Sequence, residues 1–310
     1  MNLLVTGGTG FIGAALCRAL TQQGHKLVVV TRSPLAHAAV PGLRYLPWDD
    51  PAAHPPLTWQ QLISEVDGVI HLAGESLAAG RWTPARKQAI QESRVQTTRR
   101  LVDAMAARPK RPAIFLSASA VGYYGPRGDE SLDETAPPGS GFLAQTCRQW
   151  EQEAFRAEAL GVRVIRLRLG VVLGPGGGAV AKMAPPFRAW LGGPLGSGRQ
   201  WMSWIHREDV IGLVEWALKQ PQLAGPLNAT APNPVTMRGF CRELGRALRR
   251  PSWLPVPSVA LRLVLGEMAQ MLLTGQRVVP RAALEHGYRF RFPDLREALR
   301  MITVAKVDHA

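Results

Sequence analysis

The sequence predicts an α/β fold in which a doubly wound parallel sheet is followed by a smaller C-terminal lobe. Short runs rich in leucine and β-branched residues alternate with helix-length segments, which is typical of βαβ units. These runs are LLVTG, KLVVVTR, GVIHLAG, AIFLSAS and RVIRLRLG. After about residue 175 the alternation gives way to glycine- and proline-rich sequence and mixed elements. We therefore place a sheet domain at residues 1–175 and a second lobe at 176–310, interwoven because later segments return to the first domain.

The composition is that of a globular protein, with 310 residues, 46% hydrophobic and 19% charged. No apolar run reaches the roughly 18 residues of a membrane span, and the N-terminus shows no export signal. The cysteines, Cys17, Cys147 and Cys241, are odd in number and far apart, so they predict neither disulfides nor a metal site. We expect a cytoplasmic protein without a membrane partner.

The formal net charge of +14 indicates an anionic partner. The arginines are scattered along the chain, with no run of like charge and no interleaved aromatic residues. This distribution makes a nucleic-acid partner unlikely. It favours a solvated basic surface that also suits an anionic cofactor.

The first strand and the first helix are joined by a glycine loop, TGGTGFIG. Residues 3–6 are predicted as the strand and residues 11–23 as the helix. A G-x-x-G-x-x-G pattern between a strand and a helix indicates dinucleotide binding. Gly7 permits the tight turn, Gly10 lets backbone N–H groups approach a pyrophosphate, and Gly13 lets helix and strand pack closely. The predicted phosphate-binding residues are Gly7, Thr9, Gly10, Phe11, Ile12 and Gly13. The loop predicts a Rossmann-type dinucleotide site.

The end of the second strand indicates which dinucleotide binds. An NAD site usually carries an acidic residue there for the ribose 2′-hydroxyl, whereas this chain has Thr31, Arg32 and Ser33. A guanidinium binds a 2′-phosphate through paired charge-assisted hydrogen bonds. The prediction is NADP(H), the alternative being that Arg32 is only a solvated loop residue.

Three further segments are predicted to line the cofactor. Small residues end the strand of HLAGES at Leu72, Ala73 and Gly74, where the backbone can pass close to the adenosine. Arg94, on the following arginine-rich helix, either turns toward the phosphates or belongs to a solvated face. Val172 completes the predicted cofactor-binding set.

Several motifs taken together resemble those of an extended short-chain dehydrogenase/reductase. They are TGGTGFIG, HLAGES, SASAVGYYG, LRLGVVLGPGGG and WIHREDV. RW, GGPLGSGRQWMSWIH and NATAPNPVT narrow the resemblance to the epimerase family protein branch, which ends in a short domain of unknown function. The resemblance implies a Rossmann-type sheet, bound NADP(H), a small-molecule substrate, and kinship with enzymes that act on sugar nucleotides. The oligomeric state is left as monomer or homodimer, and no metal is implied.

Working members of that superfamily carry a serine after the fifth strand and a Tyr-x-x-x-Lys pair on the next helix. The lysine lowers the tyrosine pKa, so the phenol exchanges a proton with substrate while hydride moves to or from nicotinamide. Ser119 matches the serine. Aligning Glu151 with the acidic residue that often ends the motif places Leu143 and Cys147 where tyrosine and lysine should be. The pair is therefore missing.

Tyr123 and Tyr124 are the candidate replacements for the proton donor, with loop packing or substrate stacking as the alternative. Cys147 is interpreted as a structural thiol. Two hypotheses follow. One is an NADP-dependent oxidoreductase or epimerase-like enzyme using Ser119 with either tyrosine, and the other is a catalytically weak or silent NADP(H)-binding sensor or regulator.

The second lobe contributes candidate substrate-side residues in RQWMSWIHRED. The resemblance carries over His206 and Asp209 from the stretch that shapes the substrate side in the extended enzymes. His206 is either an acid or base near neutral pH or a residue bonded to nearby backbone. Trp204 either stacks on a substrate ring or fills the core between the lobes.

Overall fold

The computed structural model describes residues 1–37, 40–48 and 58–304. The strands in this part of the chain are β1 (Asn2–Thr6), β2 (Lys26–Thr31), β3 (Leu43–Pro47), β4 (Gly68–His71), β5 (Ile114–Ala120), β6 (Ser131–Leu132), β7 (Arg163–Leu169), β8 (Val171–Gly174), β9 (Trp201–Met202), β10 (Trp204–His206), β11 (Gly225–Ala229), β12 (Val235–Thr236) and β13 (Arg277–Val278). The helices are α1 (Gly13–Gln22), α2 (Pro84–Ala106), α3 (Phe142–Phe155), α4 (Gly178–Arg188), α5 (Arg207–Lys219), α6 (Met237–Leu248), α7 (Ser258–Leu265), α8 (Ala269–Leu273), α9 (Arg281–Glu285) and α10 (Leu295–Val304).

The central sheet has seven parallel strands in the order β11-β7-β5-β4-β1-β2-β3. The strand order reverses at β1, which pairs with β2 on one side and with β4 on the other. Open α/β sheets bind ligands at such a switch point, outside the carboxyl ends of the strands. The predicted Rossmann-type α/β fold is confirmed, and the crevice lies between the ends of β1 and β4.

Both faces of the sheet are buried, so its strands are nearly continuous hydrophobic runs. Successive side chains point to opposite faces, so Leu3 packs in one core cluster with Leu16 and Leu213, whereas Leu4 packs in another with Leu101. The first cluster involves α1 and α5, and the second involves α2. Helices therefore cover the sheet on both sides.

The chain after residue 176 contributes to both parts of the molecule. Strand β11 lies at the edge of the central sheet against β7, and α5 packs in the core beside α1. A separate core joins α4, α6 and α10 around Phe187, Phe240 and Trp204. None of the helices in the described ranges combines the length and apolar character needed to cross a bilayer.

Candidate functional site

The glycine loop after β1 is packed too tightly for side chains. Gly7 has φ +71°, in the left-handed region that favours glycine, and a Cβ there would lie 2.6 Å from the carbonyl carbon of Leu72. A Cβ on Gly13 would overlap the carbonyl oxygen of Gly7. The turn from β1 into α1 thus depends on glycine at both positions.

The same loop offers free hydrogen-bond donors at the start of α1. Gly10 N donates to Gly7 O at 3.0 Å, which closes the turn. In the described part of the chain, the backbone N–H groups of Phe11, Ile12 and Gly13 donate to no protein acceptor. The first turn of α1 also lacks acidic residues that would compete for its positive end. These features fit an anion such as a pyrophosphate.

The Phe11 ring is covered from the second lobe. A Cβ on Gly177 or Gly178 would come within 3.0 Å of the ring, and the Arg207 guanidinium lies 4.8 Å from the ring centroid. Val172, on β8, is half-buried and packs against the first core. The loop that follows β8 therefore lies directly over the glycine loop.

Arg32 lies at the end of β2, with its side chain 86% exposed. Its Nη1 lies 3.2 Å from Oε1 of Glu75, whose other oxygen lies 3.2 Å from Nη1 of Arg86. Thr31 is half-buried and its hydroxyl accepts a 3.4 Å bond from Ser33 N. An arginine thus stands at the β2 side of the crevice, paired with a carboxylate that the sequence analysis did not single out, although it follows Gly74 in HLAGES.

Arg94 contacts the backbone of the β4 loop. Its two Nη atoms donate to the carbonyl oxygens of Ile90 and Glu75, both at 2.9 Å, and its guanidinium lies 5.4 Å from the Trp150 ring centroid. A Cβ on Gly74 would lie 3.2 Å from the guanidinium carbon. Two of the five guanidinium N–H groups thus bind the backbone, and Arg94 positions Gly74 and Glu75 at the crevice. Its contact with the cofactor phosphates stays a prediction.

A buried histidine joins the two strands at the switch point. Nδ1 of His71, the last residue of β4, lies 2.6 Å from the hydroxyl of Thr6, the last residue of β1. Its Nε2 lies 3.4 Å from the Thr97 hydroxyl. Burial lowers the pKa of His71 to about 3, with the nearby Arg94 cation adding to the effect. The ring is therefore neutral at physiological pH.

This histidine predicts a loss of stability in mild acid. Its ordinary pKa is 6.5 and its folded value is about 3, so only the unfolded chain binds the proton between those values. The stability contribution is complete above pH 6.5 and falls as pH drops toward 3, with a slope of about 1.4 kcal/mol per pH unit. Urea denaturation at several pH values below 6.5 measures the free energy of unfolding, which should fall less steeply with decreasing pH for His71→Gln than for the unmodified protein. The same pH dependence in both proteins would contradict the low pKa of His71.

Ser119 and Tyr124 form a buried network with a strongly held ion pair. Ser119 Oγ donates to Oε1 of Glu151 at 2.7 Å. Both Glu151 oxygens accept bonds from Arg168, Oε1 from Nε at 2.8 Å and Oε2 from Nη2 at 2.9 Å. The Tyr124 hydroxyl accepts from Arg168 Nη1 at 2.8 Å and donates to Asn228 Oδ1 at 2.7 Å.

This network supplies internal hydrogen-bond partners to two of the three catalytic candidates. Ser119 and Tyr124 are almost completely buried, and their hydroxyl protons bind internal acceptors. Burial raises the pKa of Tyr124 to about 12, although Arg168 opposes the effect. The Ser119 hydroxyl joins β5 to α3, and the Tyr124 hydroxyl joins the segment after β5 to β11. In the sequence Glu151 is visible only as the acidic end of a motif, and no local pattern indicates Arg168 as its partner.

Tyr123 is the remaining candidate. It is half-buried, and its ring centroid lies 3.6 Å from the Arg168 guanidinium carbon. Its hydroxyl has no protein hydrogen-bond partner in the ranges that the structure describes. Tyr123 thus differs from Tyr124 in keeping a hydroxyl available to another molecule.

Leu143 and Cys147, on α3, face the loop after β5. A Cβ on Gly122 would lie 3.3 Å from Leu143 Cβ and 3.8 Å from Cys147 Sγ. Burial raises the pKa of Cys147 to about 12, so its thiol stays protonated. An alkyl group and a neutral thiol therefore lie against the loop after β5.

The C-terminal lobe covers this region. An apolar cluster joins the β4 loop, α2, the start of α3 and the segment after α7, and its members are Leu77, Trp82, Ile90, Phe142, Leu143, Leu265, Met268 and Met271. Lys87 Nζ lies 2.7 Å from Oε2 of Glu267, and Lys182 Nζ donates to Ala78 O at 2.9 Å. We call this cluster the apolar cover.

Trp204 and His206 lie in the second core and not at an open site. Trp204 is fully buried, and its indole N–H donates to Asn233 O at 3.0 Å. His206 caps α5 by accepting from Glu208 N at 3.2 Å, and its ring centroid lies 4.0 Å from that of Phe292. Burial lowers the pKa of His206 to about 4. This geometry replaces the substrate-side expectation for both residues with a packing role.

Asp209 joins the same arrangement. Its carboxylate accepts from the backbone N–H groups of Arg291 at 2.7 Å and Phe292 at 3.0 Å. The WIHRED stretch thus attaches the C-terminal segment to the sheet domain. In the described ranges, no group of three or more His, Cys, Asp or Glu residues has metal-binding geometry.

Comparison with protein families gives two matches. Residues 3–229 match the NAD dependent epimerase/dehydratase family, and residues 256–302 match a domain of unknown function, DUF1731. Among curated relatives, the Arabidopsis thaliana chloroplastic homolog of epimerase family protein SDR39U1 is 42% identical over 304 residues, covering 97% of this chain and 86% of the relative.

Two solved structures are also similar to this chain. Human epimerase family protein SDR39U1 with NADPH superposes with a TM-score of 0.85 at 36% identity, covering 98% of this chain and 99% of the human one. UDP-glucuronic acid 4-epimerase from Bacillus cereus with NAD has a TM-score of 0.75 at 17% identity, covering 98% and 96% of the chains. The second likeness shows the fold alone.

Proposed function

Because the chain belongs to the NAD dependent epimerase/dehydratase family, we propose that it binds NADP(H) in the crevice between β1 and β4. We further propose that it acts as an NADP(H)-responsive sensor or regulator with little or no sugar-nucleotide turnover. The observation that carries this second step is the state of the groups at the end of β5. Leu143 and Cys147 replace the proton relay, while Ser119 and Tyr124 bind internal acceptors.

The cofactor assignment rests on the fit of the crevice to a dinucleotide phosphate. The free N–H groups of Phe11, Ile12 and Gly13 suit the pyrophosphate, and Arg32 suits a 2′-phosphate at the end of β2. The segment of Leu72, Ala73 and Gly74 forms the opposite wall, where the tight approach of Leu72 to Gly7 fixes its position. The human relative solved with NADPH supports the same choice.

Arg32→Ala is expected to weaken NADPH binding by about 10- to 100-fold, since hydrogen bonds to charged groups contribute about 1.5–3 kcal/mol. NADH, which lacks the 2′-phosphate, should bind both proteins equally. Glu75→Gln removes the carboxylate that competes for Arg32, so NADPH should bind this variant at least as tightly as the unmodified protein. Calorimetry with both nucleotides measures these affinities. Equal losses of affinity for NADH and NADPH in Arg32→Ala would contradict recognition of the 2′-phosphate by this arginine.

The sensor assignment follows from the requirements of the chemistry. Bound NADPH supplies a hydride, and a carbonyl that accepts a hydride also needs a proton. The Ser119 proton is held by Glu151, the Tyr124 proton by Asn228, and the Cys147 thiol stays neutral in its buried position. The apolar cover also offers few partners to the hydroxyl groups of a sugar.

A second candidate function rests on Tyr123 alone. Its half-buried ring lies against Arg168, and its hydroxyl has no acceptor in the described ranges. Such a phenol suits an NADPH-dependent reductase in which Tyr123 donates the proton. The apolar cover would then favour an apolar carbonyl substrate over a sugar nucleotide.

Nicotinamide absorbance under single-turnover conditions separates the two candidates. NADPH-loaded protein is mixed with a panel of UDP-sugars and of aliphatic and aromatic carbonyls. The sensor assignment predicts tight NADPH binding with no substrate-dependent absorbance change. Oxidation that Tyr123→Phe abolishes, with unchanged NADPH affinity, would establish the reductase, and absence of NADPH binding would overturn both.

A further inference from the structure

Seven large apolar side chains are exposed on two neighbouring segments of the second lobe. Their exposed fractions range from 37% to 73%, and they include the two tryptophans that are exposed in the described ranges. The set is Trp190, Leu191, Trp253, Leu254, Val259, Leu263 and Val264. We call it the apolar surface, and neither the crevice nor the apolar cover includes any of its members.

Backbone contacts bring the two segments together. The N–H groups of Trp253 and Leu254 both donate to Gly192 O, at 3.0 and 3.1 Å, and the Trp253 indole donates to Trp190 O at 3.1 Å. Trp190 has φ +64°, a conformation that is unfavourable for a bulky side chain. The structure therefore holds the two tryptophans next to each other at the surface, despite a local cost in free energy.

Helix α7 extends the apolar surface. It begins at Ser258, shortly after Leu254, and contains no fully buried residue. Val259 and Leu263 are four residues apart, so they share one helix face, while Leu261 and Leu265 are half-buried on another. The helix thus packs by one side and leaves an aliphatic side without a protein partner in the described chain.

The apolar surface is surrounded by positive charge. Arg188, Arg249, Arg250 and Arg262 lie on its segments or beside them, and none forms an ion pair with a carboxylate in the described ranges. The Arg250 guanidinium lies 4.7 Å from the Trp190 ring centroid. The sequence has no acidic residue between Glu158 and Glu208, or between Glu243 and Glu267. Both segments are therefore uniformly basic.

We propose that the apolar surface docks this protein on an anionic lipid bilayer. A bilayer offers both chemistries at once, negative headgroups for the arginines and an acyl region for the tryptophan, leucine and valine side chains. A second copy placed on the same surface would bring arginine against arginine. A nucleic acid would pair with the charges but leave Leu263 and Val264 in water. The inference departs from the sequence expectation of no membrane partner.

Vesicle sedimentation with the full chain tests the proposal. The protein should sediment with phosphatidylcholine vesicles that contain phosphatidylglycerol, not with phosphatidylcholine alone, and added salt should weaken binding. Leu263→Asp and Arg262→Glu should each reduce partitioning by at least about fivefold, since a basic residue near an anionic surface contributes about that factor. Leu284→Asp and Arg300→Glu change exposed residues outside the surface and should bind as the unmodified protein does.

NADPH calorimetry and thermal melting confirm that each variant is folded, and Val264→Ser replaces Leu263→Asp if that variant melts early. Equal sedimentation with both vesicle types, or none with either, would overturn the proposal. A dimer in solution that Leu263→Asp dissociates would assign the surface to self-association instead. Retention on DNA that Arg262→Glu abolishes and Leu263→Asp leaves intact would assign it to nucleic acid.

Discussion

Gly13→Ala is expected to reduce NADPH affinity by at least about 100-fold, because an added Cβ would overlap the carbonyl oxygen of Gly7. The overlap must push the start of α1 away from β1 and misplace the N–H groups of Phe11 and Ile12. Two hydrogen bonds to a charged phosphate, each contributing about 1.5–3 kcal/mol, account for that loss. NADH should lose affinity equally, since both dinucleotides carry the pyrophosphate. Calorimetry with each nucleotide measures the effect.

The matched control for this change is Gly239→Ala. Gly239 lies in the first turn of α6, where an added Cβ would meet only ordinary contacts at 3.4 and 3.8 Å. Alanine favours a helix over glycine, so this variant should bind NADPH normally and melt at the same or a higher temperature. Gly10→Ala replaces Gly13→Ala if that variant does not fold, because its added Cβ meets only Gly7 O at 3.3 Å. It should still lower the affinity for both NADPH and NADH. Unchanged NADPH and NADH binding by both loop variants would contradict a phosphate-binding role for the loop.

Arg168→Met is expected to lower the free energy of unfolding by about 3–5 kcal/mol, since it leaves the Glu151 carboxylate buried without its ion-pair partner. Glu151→Leu should lower the free energy of unfolding by a similar amount, because it leaves the Arg168 guanidinium buried without a carboxylate. The double variant Glu151→Leu with Arg168→Met removes both charges and should recover much of the loss. Urea denaturation of the four proteins forms a double-mutant cycle.

Arg246→Ala provides the comparison for the buried pair. Arg246 also pairs with a glutamate, Glu243, but its side chain is 54% exposed, so its removal should have a far smaller effect on the denaturation midpoint. If the double variant loses the sum of the two single losses in unfolding free energy, Glu151 and Arg168 do not stabilise each other. NADPH affinity should persist in each variant that folds, because the hydrogen bonds of the pair go to Ser119, Tyr124 and Glu134 and not to the glycine loop.

Local patterns in the sequence were sufficient for the sheet domain and its glycine turn. Parallel strands buried on both faces are continuous apolar runs, so β1, β2, β4, β5 and β7 are visible in the sequence without any tertiary contact. The two edge strands, β3 and β11, were not identified. The requirement for glycine at Gly13 is likewise local, because the clash is with Gly7 in the same turn. At Gly7 the φ of +71° is local, whereas the close approach of Leu72 comes from the neighbouring strand β4. The prediction that Leu143 and Cys147 stand in place of a tyrosine and a lysine likewise rests on spacing within a single helix.

The polar partners at the site were not visible in the same way. Glu75 stood in a noted motif, yet its pairing with Arg32 depends on β1 lying between β2 and β4 in the sheet. His71 meets Thr6 across 65 residues, since β4 pairs with β1 at the switch point. A polar side chain bonds to whichever atoms the strand order brings near, and no local period encodes that choice.

The sequence by itself determined the α/β fold and the glycine turn after β1, and it placed an arginine directly after β2. Only the tertiary structure decided that the Ser119 and Tyr124 hydroxyls serve the Glu151 and Arg168 pair, that Trp204 and His206 are buried, and that the tryptophans of the apolar surface are exposed. The physical reason is that backbone stereochemistry and hydrophobic periodicity act over a few residues. Burial and hydrogen bonding instead depend on which distant elements pack together.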